Sequence, residues 1–157
     1  NEEINLINTI ESLNLNNEVF LLGNVKNPFK YLKQSEVFVL NSEYEGFPNV
    51  LLESLATGTP VVTKNCLSGP SEMLNVPTYD NESVFLTDYG YIFPKITKKN
   101  KNDYTSEKDF LTESICKLID IKTNNKTHYE SLIKNCKARA RDFSTERIIS
   151  QWKKIIK

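Results

Sequence analysis

Residues Asn41–Val62 read N-S-E-Y-E-G-F-P-N-V-L-L-E-S-L-A-T-G-T-P-V-V. The stretch leaves an apolar run at Val37–Leu40, turns at Gly46 and enters a helix at Pro48. Gly58 closes that helix, and Val61 and Val62 open the next apolar run. Proline suits a first helical turn, where its missing N–H has no partner to lose, and glycine past the last turn accepts left-handed backbone. Two short apolar runs joined through a helix predict buried parallel strands.

The same pattern extends in both directions. Ile4, Leu6, Ile7, Ile10 and Leu13 recur at helical spacing, predicting an opening helix that ends in the turn at Asn14–Asn17. Val19–Leu22, stopped by Gly23, predicts a further buried strand, and Pro28 a helix start with Phe29, Tyr31 and Leu32 on its apolar face. Downstream, Gly69–Leu74 reads as a loop turning into a short helix, and Tyr91–Phe93 as a strand between Gly90 and Pro94. Lys95–Lys108 is polar and lysine-rich and reads as a mobile, solvated loop. Three helical patterns follow, at Phe110–Ile121, Tyr129–Arg141 and Glu146–Ile156. There is no internal repeat. Strands alternating with helices predict an α/β fold, an open Rossmann-like parallel sheet with helices on both faces, as one domain over residues 1–157. Ligands of such sheets bind at the carboxyl ends of the strands, which directs attention to the loops beginning near Gly23, Asn41, Lys64 and Pro94.

Composition narrows the function classes. Twenty basic and twenty acidic side chains cancel, so no basic excess points to nucleic acid. Cys66, Cys116 and Cys136 have neither disulfide-framework nor metal-knuckle spacing, and all three are expected to be reduced and partly buried. No apolar run reaches the roughly 18 residues of a membrane span, and the first residues lack a signal-peptide pattern. The chain opens without Met inside a helical pattern, and is read as a piece of a longer protein.

The turn before Pro48 is the place for chemistry. The first amides of a helix lack intrahelical partners and carry the positive end of its dipole, so a strand–loop–helix junction suits a diphosphate. Gly46 lets the backbone approach an anion closely. Gly46-Phe47-Pro48 can equally be only a turn with a good helix start. On a helical wheel, Val50, Leu51, Leu52, Leu55 and Ala56 share an apolar arc, while Asn49, Glu53, Ser54 and Thr57 share the other face. Glu53 is then a solvated residue or a carboxylate for ribose hydroxyls, and Glu45 would lie beside the anion. Among the aromatics, Phe29, Tyr31 and Phe38 are expected in the core, Phe47 near the ligand, and Trp152 packed within the last helix. His128, the sole histidine, falls between helical patterns and reads as a surface residue. No Walker loop, G-x-G-x-x-G or aspartate-any-aspartate pattern appears.

Glu45 and Glu53, with G-F-P-N-V-L-L between them, resemble the paired-glutamate motif of the retaining family 4 glycosyltransferases of GT-B fold, also described as glycosyl transferases group 1. V-F-V-L-N-S precedes the motif and S-L-A-T-G-T-P-V-V follows it. V-F-L-L-G-N-V (Val19–Val25), S-G-P-S-E (Ser68–Glu72), G-Y-I-F-P (Gly90–Pro94) and the final A-R-D-F-S…W complete a resemblance over essentially the whole chain.

This resemblance implies a carboxy-terminal, donor-binding half of a GT-B enzyme. Glu53 would bind ribose hydroxyls, and Glu45 would contact the donor sugar as the catalytic residue. Backbone amides around Gly46, Phe47, Pro48, Asn49 and Val50 would cradle the distal phosphate. Gly23, Asn24 and Val25 would lie against the base, and Ser68, Gly69 and Glu72 would border the phosphates. The parent enzyme would be a hexosyl- or N-acetylhexosaminyl-transferase acting with retention on a nucleoside diphosphate sugar, with a UDP-sugar expected and no metal or other cofactor. Its partners would be that donor and a glycan or lipid-linked acceptor held by an amino-terminal domain, with no nucleic acid. The implied setting is bacterial surface polysaccharide assembly in the cytoplasm, with peripheral association at the inner face of the membrane. The family's Arg and Lys that neutralise the departing diphosphate belong upstream of Asn1, so this piece alone is expected to be inactive. Two other readings stay open: a non-catalytic nucleotide-binding or interaction module, and another GT-B enzyme such as a nucleotide-sugar epimerase or a sugar-phosphate synthase.

Overall fold

The computed structural model describes residues 2–66, 68–76, 83–96 and 107–156. Its strands are β1 (Phe38–Leu40), β2 (Val61–Lys64), β3 (Phe85–Thr87) and β4 (Gly90–Phe93), in the spatial order β1-β2-β4-β3. β1, β2 and β4 run parallel, with Val39 beside Val62 and Val62 beside Tyr91. β3 pairs antiparallel with β4 and closes the other edge. The sheet is therefore open and mixed. The sequence reading placed Phe85–Thr87 in no element, because three residues with two exposed side chains carry no periodic signal.

The helices are α1 (Glu2–Ser12), α2 (Phe29–Leu32), α3 (Asn49–Thr57), α4 (Pro70–Met73), α5 (Glu107–Asn124), α6 (Lys126–Ala140) and α7 (Thr145–Ile155), with a 3-10 turn at Arg141–Phe143. They cover both faces of the sheet, because side chains alternate along a strand. Val61 joins Leu51, Leu55, Met73, Leu74 and Cys136 in one cluster. Its neighbour Val62 joins Tyr91, Phe93, Leu118 and Leu132 in the other. Gly58 stops α3 in left-handed backbone at φ 81°, its amide bonded to Leu55 O, and Thr59 N–H donates to Ser54 O at 3.0 Å. At Gly90 (φ 136°) a Cβ would lie 2.0 Å from Val61 O, so only glycine lets β4 start beside β2.

Several expectations are corrected. Val19–Leu22 is not a strand and is exposed, Phe20 at 70%, because no strand among the described residues pairs with it. α1 buries none of its residues. Phe29, Tyr31 and Trp152 are exposed rather than core, and Phe38 is partly buried on the edge strand β1. Cys116 is exposed, while Cys66 and Cys136 are buried; all three are free. His128 lies in the first turn of α6, its amide donating to the Asn125 cap, rather than between helices. α5 begins three residues before the predicted Phe110, so Glu107 and Lys108 are helical. The rest of the predicted lysine-rich loop, 97–106, lies outside the described residues. No described helix is long and apolar enough to cross a membrane.

Candidate functional site

Three loops meet at the carboxyl ends of the parallel strands. After β2, Asn65 N–H donates to Phe93 O at 2.8 Å. After β4, Lys95 Nζ donates to Glu43 O at 2.8 Å. The loop from 41 to 48 lies between them, and Ser68 Oγ donates to Glu45 O at 3.1 Å. Gly69, at φ 75°, approaches so closely that a Cβ would stand 2.4 Å from Gly46 O. The chain thus brings Ser68 and Gly69 against Glu45 and Gly46.

The amino end of α3 is open. Pro48 caps it with extended backbone (φ −73°, ψ 95°), and no side chain bonds to it. The Leu51 and Leu52 amides turn back to Pro48 O at 2.9 and 3.3 Å. Among the described residues, the amides of Phe47, Asn49 and Val50 have no protein partner. Phe47 is half-exposed and rests edge-on against Phe143, with ring centroids 5.6 Å apart.

Burial redraws the wheel of α3. Leu51, Ser54 and Leu55 form the buried face, whereas Val50 and Ala56 are exposed. Ser54 is buried because its hydroxyl donates to Thr59 O at 2.9 Å. Glu53 is half-buried on the accessible side, away from Leu51, and Glu45 is half-buried on the loop. Glu72 is exposed on α4, where Arg139 binds the carbonyls of Glu72 and Met73 at 2.9 and 2.8 Å. That geometry makes Glu72 a fixed point of the short helix. Gly23 is left-handed (φ 60°), Gly23 and Asn24 are exposed, and no described hydrogen bond joins residues 23–25 to the loop before α3.

The chain is similar to known proteins in sequence and in fold. Residues 1–76 match the family model for glycosyl transferases group 1, a span that includes the loop, α3, β2 and α4. An uncharacterized glycosyltransferase of Methanocaldococcus jannaschii is 33% identical over 156 residues, covering 94% of this chain and 37% of that protein. The pneumococcal O-GlcNAc transferase GtfA, solved with UDP and GlcNAc, superposes with a TM-score of 0.71 at 20% identity, over 99% of this chain and 27% of that one. The chain has the GT-B glycosyltransferase fold and resembles the glycosyl transferases group 1 in sequence. A Campylobacter jejuni N-acetylgalactosaminyltransferase acting on a diphospho-undecaprenol-linked sugar is 46% identical over 68 residues, 43% of this chain and 19% of that protein. The chain spans little more than a third of the M. jannaschii relative.

This GT-B domain also carries a charge cluster that sequence reading missed. Lys64, the last residue of β2, is 1% exposed. Its ammonium meets Glu43 on the loop and Glu107 of α5, the latter at 2.7 Å. Lys95 Nζ lies 3.3 Å from the other Glu43 oxygen and 4.1 Å from the Tyr44 ring centroid. Ile96 N–H donates to Glu107 Oε1 at 2.9 Å. Burial pulls the Lys64 ammonium down, but its bonds to Glu107 and Glu43 outweigh that and hold it above its ordinary value. The Lys64 hydrogen bond, with Lys95 behind it, holds the Glu43 carboxyl below the usual range. The one available signal was a lysine closing an apolar strand, because a buried ammonium requires acidic partners. Burial, with Glu45 nearby, pushes the Cys66 thiol up. Among the described residues no cluster of three or more His, Cys, Asp or Glu could hold a metal. A cavity of about 360 Å³ lined by Leu74, Phe85, Asp88 and His128 lies beside the β3–β4 turn, at the opposite end of the sheet.

Proposed function

We propose that the protein to which this chain belongs transfers a sugar, with retention, from a nucleoside diphosphate sugar to a glycan or lipid-linked acceptor. The observation that carries the proposal is the open amino end of α3: unpartnered amides at Phe47, Asn49 and Val50 between two half-buried glutamates. Amides held there by the fold stabilise the charge that develops on the departing diphosphate, without reorganising as it forms. Glu53, one turn into α3, accepts hydrogen bonds from the ribose hydroxyls. Glu45 holds the donor sugar as the catalytic carboxylate, and residues Gly23–Val25 lie along the base. Gly46 and Pro48 shape the turn under the phosphates, and Ser68 and Gly69 border them, with Glu72 supporting that loop. A front-face displacement, in which the leaving phosphate helps to take the acceptor's proton, is consistent with the family resemblance.

A UDP-sugar carrying a hexose or N-acetylhexosamine is the donor class favoured, by the UDP and GlcNAc bound to GtfA and by the sugar named for the C. jejuni relative. No metal or further cofactor takes part, no nucleic acid is a partner, and the reaction takes place on the cytoplasmic side, with the full enzyme associated with the membrane face. The setting proposed is bacterial surface polysaccharide assembly.

Calorimetric titration of the full-length protein with UDP, GDP and ADP tests the site, and transfer with a chelator present tests the chemistry. UDP should bind in preference, and Glu53→Ala should weaken it roughly 30-fold, the worth of hydrogen bonds to a charged acceptor. Unchanged UDP affinity in Glu53→Ala would overturn the assignment. An altered donor formed without any acceptor would identify an epimerase instead.

A further inference from the structure

Glu43 is 59% exposed, yet three contacts hold it: Lys64 on one carboxylate oxygen, Lys95 on the other and Lys95 again on its backbone carbonyl. The buried ammonium of Lys64 also has Glu107, on a different element, at 2.7 Å. The four side chains come from the loop after β1, the end of β2, the segment after β4 and the start of α5. They tie all three parallel strands together at their carboxyl ends. Two residues past Glu43 stands Glu45, and three further on is Pro48, where α3 opens.

We propose that Lys64 and Glu43 are positioning residues for the donor site, the buried ammonium anchoring the loop so that Glu45 and the α3 amides keep one fixed geometry. The inference rests on the proposed donor site. An exposed carboxylate on a solvent-facing loop is not needed to fill the core, and Glu107 alone already gives Lys64 a counter-ion. What the Glu43 contact adds is location: it fixes a loop whose neighbouring atoms must sit within a fraction of an ångström of a ligand. Lys95 strengthens the hold from a second side, with its ammonium also over the Tyr44 ring.

The test uses the full-length protein and four variants: Glu43→Gln, Lys64→Met, the double variant, and Glu113→Gln, which breaks only the remote Lys117–Glu113 pair on α5. UDP affinity is measured by calorimetry, donor KM and kcat by transfer, and folding by thermal unfolding. Glu43→Gln should weaken UDP and raise donor KM about tenfold while the melting temperature stays close to that of the wild type. The double variant should be no worse than Lys64→Met, since both remove one anchor, and Glu113→Gln should match the wild type. Wild-type-like UDP affinity and KM in Glu43→Gln, or losses that simply add in the double variant, would overturn the inference while leaving the donor site standing. If the wild-type protein binds no nucleoside diphosphate, the donor-site reading and this inference fail together.

Discussion

Val19–Leu22 and Val61–Lys64 invert the ordinary rule of hydropathy. The first reads V-F-L-L and exposes Phe20 at 70%; the second reads V-V-T-K and buries Lys64 at 1%. Neighbours make the difference. β2 has a parallel strand on each side, helices over both faces and two carboxylates for its ammonium. Residues 19–22 have no pairing strand among the described residues, and all four side chains stay exposed. An apolar run supplies the drive toward burial, while pairing and covering elements decide whether it happens.

The strongest way to break this comparison is to cut the same side chain at both kinds of place. Phe93 on β4 is fully buried against Val62, Leu118 and Leu132, so Phe93→Ala should cost about 4 kcal/mol of stability. Phe20→Ala in the same 157-residue chain should cost less than about 0.5 kcal/mol, as surface changes do. Urea denaturation of both variants measures the gap. Equal losses would mean that residues 19–22 are packed and that the contrast is wrong.

The two left-handed glycines sharpen the comparison at the site. Gly23 and Gly69 have similar φ, 60° and 75°, but a Cβ on Gly23 meets nothing within 4 Å, whereas on Gly69 it meets Gly46 O at 2.4 Å and Pro48 Cδ at 3.0 Å. Gly23→Ala should therefore cost only the backbone penalty, about 1 kcal/mol. Gly69→Ala should cost about 2 kcal/mol or more, because the loop under Glu45 must also move. Thermal unfolding ranks the two, and UDP titration of the full-length protein should show a loss for Gly69→Ala.

Much of this architecture was legible before any coordinates. Helix α3 announced itself at both ends through Pro48 and Gly58, and β1, β2 and β4 through short apolar runs, with Pro60 before β2 and Gly90 and Pro94 around β4. Those signals are local, and local chemistry enforces them. The placement of Glu45 before the helix start and Glu53 within the helix was legible for the same reason, since both follow from where Pro48 opens α3. What was hidden depends on contacts distant in sequence. β3 exists only because β4 lies beside it. Ser54 looked polar and solvated, yet it is buried by a bond to Thr59 O. Lys64 and Lys95 gain their meaning from Glu43 and Glu107, which composition alone leaves among the many charges of a solvated surface.

That last case gives the smallest expected effect and the most specific. Glu43 is held below its ordinary value of 4.5 by Lys64 first and Lys95 second, so its contribution to stability is complete above that value and fades as pH falls through the lowered one. Lys64 is held above 10.5, burial opposing and Glu107 and Glu43 prevailing, so its contribution is complete below that value and fades as pH rises through the raised one. The melting-temperature difference between wild type and Glu43→Gln should therefore be small and flat between roughly pH 5 and pH 10, and should shrink at both ends. If the difference instead peaked near neutral pH, a group other than these carboxylates and ammoniums would be holding the loop, and the buried lysine would be an anchor for α5 alone.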